Sequence, residues 1–406
     1  MNSGDTAWIL TSSALVMLMT PALGFFYGGL VRKKNVLATI MHSFFVLCLI
    51  SVQWVLWGYT LAFGPDHWGI IGGLDWLGLR GVGLEPNKDY APTVPHQAYM
   101  LFQMMFAVIT PALISGAFAE RKRFKAFVFF SLLWATFVYD PIAHWVWSTG
   151  GWLHRLGALD FAGGTVVHIS SGVAALVAAV VLGERLGLGA EPIEPHDATM
   201  TVLGASLLWF GWFGFNAGSA VAAGTLAVSA FVVTNTAAAM AALTWMTMSW
   251  WHKGQPSVLG AAAGAVAGLV AITPASGYVT VPAAILIGLL AGIACYCAVQ
   301  LKPRLRVDDA LDVFGVHGVG GTLGAILTGV FATVAVNAAG ANGALYGNPA
   351  QLGIQIIAVL ATWAYAGTAT FLILKVLDRL VGLRVPEHEE RVGLDTSQHG
   401  ELAYQL

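Results

Sequence analysis

The longest uncharged part of the sequence runs from Val313 to Leu374 and reads VFGVHGVGGTLGAILTGVFATVAVNAAGANGALYGNPAQLGIQIIAVLATWAYAGTATFLIL. An α-helix crosses the hydrocarbon core of a bilayer with about 20 apolar residues, so this run is long enough for two crossings. Its Asn-, Gly- and Pro-containing segment from Asn337 to Asn348 is typical of an exposed loop. The run therefore predicts two membrane-spanning helices joined by that loop.

Uncharged runs also cover most of the remaining chain. No Asp, Glu, Lys or Arg occurs in 6–31, 35–65, 90–119, 161–183, 198–251 or 254–301. The 406 residues are 57% hydrophobic and 10% charged, whereas soluble domains carry about 25% charged residues. This composition excludes a soluble enzyme, a nucleic-acid-binding protein, a disordered chain and a disulfide-stapled secreted domain. The predicted fold class is an all-α polytopic membrane protein.

Dividing the runs at glycine, proline and charged residues predicts eleven transmembrane helices. The predicted spans are 7–30, 38–63, 97–119, 124–148, 162–184, 199–218, 226–251, 257–273, 281–300, 313–335 and 352–380. Sixteen of the 19 basic residues follow odd-numbered spans, and only Arg80, Lys88 and Arg155 lie on the other side. The positive-inside rule then predicts an N-terminus outside and a C-terminus in the cytoplasm.

The two ends of the chain are interpreted separately. No basic residue precedes the first apolar segment and Arg32-Lys33-Lys34 follow it, so we expect a first span rather than a cleavable signal peptide. The membrane domain is predicted to cover 1–380. The acidic segment 381–406 is predicted to be a cytoplasmic tail, and a solvated end is the common fate of such a terminus.

A weak internal repeat connects spans five and ten. Ten spans followed by one more suggest two inverted five-span halves plus an extra helix, because five is odd. His168-xxx-Gly172 on span five matches His317-xxx-Gly321 on span ten. Each histidine lies one turn before a glycine on the same helical face, so the two helices are expected to approach closely with both imidazoles near the midplane.

Polar groups inside a bilayer are costly and mark functional candidates. Burial disfavours the charged form of histidine, so His168 and His317 are expected to be neutral, each with one donor and one acceptor nitrogen. They form either an interhelical hydrogen bond worth about 0.6–2 kcal/mol or the polar lining of a pore. The matched glycine spacing favours the pore.

Two aspartates lie near the outer ends of predicted spans. Asp160 precedes Phe161-Ala162-Gly163-Gly164 and is a natural helix N-cap. The alternative is a fixed negative charge beneath an outer vestibule that draws a cation inward. Asp140 is followed by Pro141 and offers a second charge of that kind, but the helix break favours a satisfied charge there.

Aromatic residues are the third candidate group. Phe106, Trp147, Trp212 and Phe215 are expected toward the outer halves or ends of their spans, with Ser219 shortly after Phe215. Most tryptophans in a membrane protein belong to interfacial belts. Ring faces gathered around a hydroxyl would instead form a cation site, since aromatic rings attract a desolvated cation by up to about 2 kcal/mol. Sequence pattern alone leaves both interpretations open.

Motifs for catalysis and metal binding are missing from the sequence. It contains no HExxH, GxSxG or Walker motif, and these mark metalloproteases, serine hydrolases and nucleotide-binding proteins. No Cys/His spacing typical of zinc occurs either. We therefore expect neither an enzyme nor a cofactor.

Three sequence runs together resemble the Amt/MEP ammonium transporter family, which is related to the Rhesus proteins. They are Asp160–His168 (DFAGGTVVH), Gly211–Ser219 (GWFGFNAGS) and Asp312–Gly321 (DVFGVHGVGG). Ala119–Phe124 (AERKRF) and the tail from 382 to 401 also fit. These motifs occur in the same order as in the family and extend over nearly the whole chain, so the resemblance does not depend on any single motif.

The resemblance implies an eleven-span fold with an inverted five-plus-five repeat, assembled as a homotrimer with one pore per subunit in the inner (plasma) membrane. It also implies roles for individual residues. Phe106, Trp147, Ser219 and the pore-proximal aromatic Trp212 are expected to bind the substrate at the outer site, and Phe106 and Phe215 to gate the pore. His168 and His317 are expected along the lumen, and Asp160 in recruitment and in shaping the outer site. Trp147 and Ser219 together favour the ammonium transporters over Rhesus-type proteins. The tail matches a regulatory segment that binds a PII-type signal protein. No role attaches to Asp140.

The resulting hypothesis is that the protein recruits ammonium at the aromatic site, deprotonates it and conducts ammonia past the histidines. Net transfer of the proton is favoured, and membrane lipid surrounds the protein. An ammonium sensor that signals through its tail and a partner protein is the alternative. An ion-coupled transporter of a larger solute would need charged midplane residues and broken helices, but the predicted midplane offers mainly two histidines.

Overall fold

A computed structural model describes residues 1–404 of the chain, and these form an almost entirely helical bundle. Within residues 1–404, ten helices are long and apolar enough to cross a membrane. They are α1 (Ser3–Leu30), α2 (Lys33–Phe63), α3 (His96–Phe118), α4 (Phe124–Leu156), α5 (Gly164–Leu182), α6 (Ala198–Gly218), α7 (Thr225–Lys253), α9 (Val281–Leu305), α10 (Phe314–Phe331) and α11 (Pro349–Val381). Between α7 and α9 lies the shorter apolar helix α8 (Val258–Ile272). The chain is a multi-pass membrane protein.

Three helices begin at residues whose side chains cap them. Asn2, Asp197 and Ser257 precede α1, α6 and α8, and each side chain accepts a hydrogen bond from a backbone N–H three residues later. Such caps satisfy donors that have no partner within the helix. The predicted spans coincide with these eleven helices. Because α8 is shorter than the other ten, the count of eleven crossings stays a prediction.

A folded loop between α2 and α3 was not predicted from the sequence. It contains two antiparallel hairpins, β1 (Asp66–His67) with β2 (Ile71–Gly72), and β3 (Pro86–Asn87) with β4 (Ala91–Pro95). The strands are two to five residues long, which is too short for an alternating pattern to indicate them. The loop packs beside the end of the bundle that carries Trp147.

Helices α7, α8 and α9 pack through small residues. A Cβ atom on Gly268 of α8 would lie 2.5 Å from the Ala237 carbonyl oxygen of α7, and one on Gly288 of α9 would lie 2.5 Å from the same atom. Only glycine permits this approach of the backbones. The result agrees with the packing function that small residues have in membrane bundles.

The C-terminal segment is docked, so the expectation of a solvated end is wrong. After the short helix α12 (Glu387–Val392), the Leu394 N–H donates to Asn35 Oδ1 at 2.8 Å and Asp395 Oδ1 accepts from the Ala38 N–H at 2.8 Å. Glu390 is buried and binds Arg384 at 2.8 Å. The composition of the tail alone could not predict the polar contacts that Leu394 and Asp395 make with the first turn of α2.

Charged residues join the helix ends beneath the tail. Glu120, which follows α3, accepts hydrogen bonds from Arg32 and Asn35 and forms an ion pair with Arg185 at 3.1 Å. Arg185 also binds Asp308 at 2.8 Å. We call this side of the molecule the basic end, because most of the connections that carry lysine and arginine lie here.

Candidate functional site

The outer aromatic residues line one cavity at the end of the bundle opposite the basic end. Its volume is about 130 Å³, and Phe106, Trp147, Phe161 and Ser219 are among its lining residues. The Phe106 and Trp147 rings lie edge to face, with centroids 5.6 Å apart. The sequence analysis thus predicted three members of this cavity, Phe106, Trp147 and Ser219. Trp212 does not line it.

Hydrogen bonds fix two of these side chains. Trp147 Nε1 donates to the Asp160 carbonyl oxygen at 3.0 Å, so the ring is held against the start of α5. Ser219 Oγ donates to the Phe215 carbonyl oxygen at 2.9 Å. A hydroxyl that has given its proton to the backbone keeps its lone pairs, so Ser219 presents an acceptor to the cavity.

Two phenylalanines close the bottom of the cavity. The ring centroids of Phe106 and Phe215 are 4.4 Å apart, with the ring planes inclined by 49°. Both side chains are fully buried. Phe106 lines the outer cavity and Phe215 lines the space beneath it, so the pair stands between the two.

A narrow lumen follows, and its lining is apolar except for two histidines. Its volume is about 10 Å³, and His168, His317 and Trp212 line it together with Met19, Leu23, Phe26, Ile109, Leu113, Val167, Leu208, Phe215 and Val266. Trp212 stacks on His168 with centroids 5.4 Å apart, and its Nε1 donates to Thr273 Oγ1. Trp212 is therefore a wall of the lumen rather than part of the outer cavity.

The two imidazoles are in hydrogen-bond contact. The Nδ1 atoms of His168 and His317 are 3.2 Å apart, and both side chains are buried. One of these nitrogens must donate and the other accept, so the pair holds one shared proton. Within residues 1–404, His168 Nε2 has no hydrogen-bond partner, which leaves it available to another molecule.

Glycines allow the histidines to meet. A Cβ atom on Gly172 would lie 2.2 Å from the Gly318 backbone nitrogen, and one on Gly321 would lie 2.9 Å from His168 Cβ. The predicted close approach of the two His-xxx-Gly helices is therefore confirmed. Both helices start with a π-helical turn that contains the histidine, and such turns are frequent at functional sites.

The Asp160 side chain caps the start of α5 from three residues before Gly163, which occupies the N-cap position. Its carboxylate accepts the backbone N–H groups of Gly163, Gly164, Thr165 and Val166 and the hydroxyl of Thr165. The capping interpretation is confirmed. These bonds hold both the first turn of α5, which carries His168, and the carbonyl group that positions Trp147.

Asp309 occupies the corresponding place before α10, and the sequence analysis missed it. It precedes His317 by eight residues, as Asp160 precedes His168, and its Oδ2 accepts the Phe314 N–H at 2.7 Å, five residues on. A positive φ occurs three residues after each aspartate, at Gly163 (118°) and Asp312 (60°). The equal Asp-to-His spacing was visible in the sequence and would have identified Asp309.

A third cavity of about 200 Å³ lies on the basic-end side of His317. Tyr27, Ser249, Tyr296, Asp312 and His317 are among its lining residues, and Phe26, Val266 and His317 also line the lumen. The outer cavity, the phenylalanine pair, the histidine lumen and this inner cavity therefore follow one another through the bundle.

Asp140 lies outside this line of cavities. It is fully buried, and its Oδ2 accepts a hydrogen bond from Gln53 Nε2 of α2 at 2.9 Å. The expected role as a satisfied charge is only half fulfilled, since Oδ1 has no partner among the described residues. No group of three or more His, Cys, Asp or Glu in residues 1–404 has a geometry suited to a metal ion.

Comparison with known proteins gives a consistent result over the full chain. The model of the Ammonium Transporter Family matches residues 7–404. An ammonium transporter of Bacillus subtilis is 54% identical over 100% of this chain and 99% of its own, and Amt1 of Archaeoglobus fulgidus is 51% identical over 100% of both.

Solved structures agree with the sequence relatives. Mep2 of Saccharomyces cerevisiae has a TM-score of 0.92 and 39% identity, covering 100% of this chain and 92% of its own. A protein described as Sensor Amt Protein has a TM-score of 0.90 and 29% identity, covering 98% of both chains. Relatives that are about half identical over their whole length share more than a fold, and this chain belongs to the ammonium transporter family.

Proposed function

We propose that this protein is an ammonium transporter that recruits NH4⁺ at the outer cavity and conducts NH3 through the histidine lumen. One observation carries the proposal: a closed aromatic pair stands above an apolar lumen whose two histidines are 3.2 Å apart. The relatives named ammonium transporters support the substrate. The chain is then a transporter and not an enzyme.

Recruitment uses ring faces and one hydroxyl. The cation lies against Phe106 and Trp147, and Ser219 Oγ accepts one of its N–H groups. Cation–π attraction of this kind contributes up to about 2 kcal/mol when the ion is desolvated. Potassium fits the same description, so this step does not by itself select ammonium.

Selection follows at the phenylalanine pair. A bare ion in the apolar lumen costs several kcal/mol or more, and loss of water favours the neutral form of ammonium. Deprotonation is therefore the least costly way inward. Potassium has no proton to lose, so it stays at the outer cavity.

The histidines guide ammonia by hydrogen bonding. His168 Nε2, which has no partner among the described residues, supplies one contact, and the shared Nδ1 proton fixes which nitrogens donate. The coupled pair also provides a relay for the released proton, which makes net transport electrogenic. Asp160 and Asp309 position the two helices for this task.

The architecture that accompanies this function has eleven spans, an inverted five-plus-five repeat and an outside N-terminus. Residues 1–380 form the membrane domain, and 381–406 form a cytoplasmic regulatory tail. The protein is a homotrimer in the inner (plasma) membrane with lipid around it, and a PII-type protein binds the cytoplasmic face. Support comes from the basic-residue asymmetry and the paired Asp, His and Gly spacings of α5 and α10.

A sensor is the second candidate, favoured by the likeness to the Sensor Amt Protein and by the docked tail. Deleting residues 381–406 separates the two functions. If the protein is a sensor, a pull-down from the host membrane loses its partner on deletion, and ammonium binding occurs without transport.

Current on a solid-supported membrane tests the main proposal. Reconstituted wild type is expected to give a transient current after a pulse of ammonium but not of potassium, and His168→Ala is expected to lose it. If ammonium changes the internal pH of vesicles without a current, the transport is neutral and the proton relay is wrong. If neither response occurs in folded protein, the transporter proposal fails.

A further inference from the structure

A fully buried histidine near the outer end of α4 contacts two hydrogen-bond acceptors. His144 Nδ1 lies 2.9 Å from the Ala62 carbonyl oxygen of α2, and His144 Nε2 lies 2.9 Å from Asp66 Oδ1 of β1. A neutral imidazole has a single N–H group and can donate to only one of them. Both contacts are hydrogen bonds when both ring nitrogens carry a proton, so the geometry indicates that His144 is an imidazolium.

Asp66 has the surroundings of an ionised carboxylate. Its Oδ1 also accepts the Gly69 N–H at 2.7 Å, and its Oδ2 accepts from Arg155 at 2.9 Å. An ionised carboxylate only accepts hydrogen bonds, and all three partners of Asp66 are able to donate. The Arg155 side chain is 59% exposed, whereas that of His144 is fully buried. Removing Asp66 would therefore leave the charge of His144, and not that of Arg155, buried without compensation.

His144 lies one turn before the part of α4 that forms the outer cavity. Trp147 lines the cavity three residues further on, and residues three apart are neighbours on a helix surface. The Ser148 N–H donates to the His144 carbonyl oxygen at 3.2 Å. Ser148 Oγ is 3.0 Å from the hydroxyl of Tyr90, which also lines the cavity. The turn from 144 to 148 therefore carries one wall of the outer cavity and contacts another.

Two side chains of this turn attach α4 to the β1–β2 hairpin. Besides the bond from His144 to Asp66, Trp145 Nε1 donates to the Ile70 carbonyl oxygen at 2.9 Å. The Trp145 bond joins neutral groups, and hydrogen bonds between charged groups are roughly twice as strong. His144 also donates to Ala62, so this one side chain joins the hairpin, α4 and α2. The ion pair therefore fixes the orientation of the turn relative to two other elements.

We propose that His144 is a positioning residue for ammonium recruitment: paired as an imidazolium with Asp66, it sets the turn of α4 that presents Trp147 to the cation. This inference rests on the proposed recruitment at the outer cavity. Asp66 also neutralises a positive charge that lies one turn from Trp147, where it would repel a bound cation. Loss of the pair is expected to weaken ammonium binding and to leave conduction through the lumen unchanged, because neither residue lines the lumen.

Solid-state nitrogen-15 NMR of the full chain in lipid bilayers, labelled at histidine, tests the ion pair. Such spectra distinguish ring nitrogens that carry a proton from those that do not. Subtracting the spectrum of His144→Gln from that of wild type at pH 7 is expected to leave one ring with two protonated nitrogens. A difference spectrum with one protonated and one bare nitrogen would overturn the ion pair. This measurement needs no transport, so it is independent of the transporter proposal.

The ammonium dependence of the current on a supported membrane tests the positioning. In Asp66→Asn and in His144→Gln, the ammonium concentration for half-maximal current is expected to rise at least fivefold, with the maximal current within twofold of wild type. Arg155→Gln removes the exposed partner of Asp66 and is expected to match wild type. An unchanged half-saturation concentration in either folded variant, or a lower maximal current alone, would overturn the positioning role. An equal rise in Arg155→Gln would also overturn it, since the surface charge of the loop would then account for the effect.

Trp145→Phe separates positioning by the ion pair from a general loosening of the hairpin. It removes the hydrogen bond to Ile70 but keeps the His144–Asp66 pair. The melting temperature is therefore expected to fall while the half-saturation concentration stays as in wild type. A rise equal to that of Asp66→Asn would overturn the role of His144. If wild type itself gives no ammonium current, the transporter proposal fails and the positioning role fails with it, whereas the NMR spectra still decide whether the ion pair exists.

Discussion

Asp308 and Asp309 are adjacent in the sequence but lie in opposite electrostatic environments. Burial by itself would raise the pKa of Asp308, but hydrogen bonds from Arg185 and the charge of Arg121 hold it below its usual value. Burial raises the pKa of Asp309 to about 6. The charge of Lys302 lowers this pKa, but the charge of Asp312 raises it again. One carboxylate therefore stabilises the fold at neutral pH, and the other destabilises it.

Asp309→Asn is predicted to raise the melting temperature at pH 7. The folded protein binds the Asp309 proton more tightly than the unfolded chain does, so the stabilising contribution is complete below pH 4 and is lost as the pH rises from about 4 to about 6. Raising the pKa of Asp309 from near 4 to about 6 corresponds to roughly 3 kcal/mol. The amide resembles the protonated acid and still accepts the Phe314 N–H. Thermal unfolding from pH 4 to 7 checks this, and a stabilisation that did not vary with pH would contradict it.

Asp308→Asn is predicted to act in the opposite direction. Within residues 1–404, the change leaves buried Arg121 without an ion pair and Arg185 with Glu120 alone, and breaking a buried ion pair costs about 3–5 kcal/mol. The pKa of Asp308 is lower in the folded protein than in the unfolded chain. The extra stability of wild type over the variant is therefore present above the unfolded-chain pKa near 4, and it is lost as the pH falls through the pKa of the folded protein. The same melting series checks the sign. A variant that melts like wild type at pH 7 would show that the pair contributes nothing.

His317→Glu is predicted to admit potassium. A carboxylate in the lumen offers a counter-charge to a desolvated cation, which removes the penalty that excludes ions from an apolar passage. Potassium-driven current on a supported membrane is expected in the variant and not in wild type, with His317→Gln as the uncharged control. If potassium stayed excluded from a folded variant, exclusion would depend on something other than the dry lumen.

The helices α5 and α10 carry the two histidines of the candidate site. Each starts at an aspartate cap, has a π-helical first turn and meets the other at a glycine. The two caps differ, since Asp160 has all its oxygens engaged whereas Asp309 Oδ1 has no partner among the described residues. The α10 start is therefore the less firmly fixed of the two.

Gly172→Ala is predicted to abolish transport while leaving the other helices in place. Its Cβ atom would lie 2.2 Å from the Gly318 backbone nitrogen, so α5 and α10 must separate and the histidine contact lengthens. Gly353→Ala on α11 is the matched control, because no atom lies within 4 Å of its added Cβ. Ammonium flux and melting temperature are compared for both. Full flux in Gly172→Ala would mean that the histidine contact is dispensable.

The sequence pattern predicted the positions of the helices better than it predicted the contacts that hold them together. The apolar pattern located ten of the eleven helices to within five residues at each end, because a bilayer admits few polar groups, whereas α4 ends eight residues later than predicted. Two His-xxx-Gly spacings predicted the contact of α5 with α10. Trp212 was expected at the outer site, but a residue's depth within a span does not say which cavity it faces. Asp309 was missed because a buried carboxylate in a connection resembles an ordinary polar residue.

The tail links distant parts of the molecule. Besides its contacts with α2, the Val385 N–H donates to the Arg121 carbonyl oxygen and Glu390 accepts from the Leu186 N–H at 2.7 Å. Connections α1–α2, α3–α4 and α5–α6 are thereby held by a single segment. A partner bound to this segment would contact a part of the chain that touches three connections, which supports the proposed regulatory role of the tail.

Asp395→Ala is predicted to release residues 394–400 without loosening the bundle. The Ala38 N–H loses its acceptor, and an unpaired buried donor costs about 1–3 kcal/mol. Since 1.4 kcal/mol is a factor of ten, hydrogen exchange in that segment is expected to quicken at least fivefold, while the amides of α3 and α5 exchange as in wild type. Glu401→Ala, at an exposed position beyond the docked turn, is the control. Faster exchange throughout the bundle would show instead that the tail is integral to the fold, and unchanged exchange would show that Asp395 does not hold it.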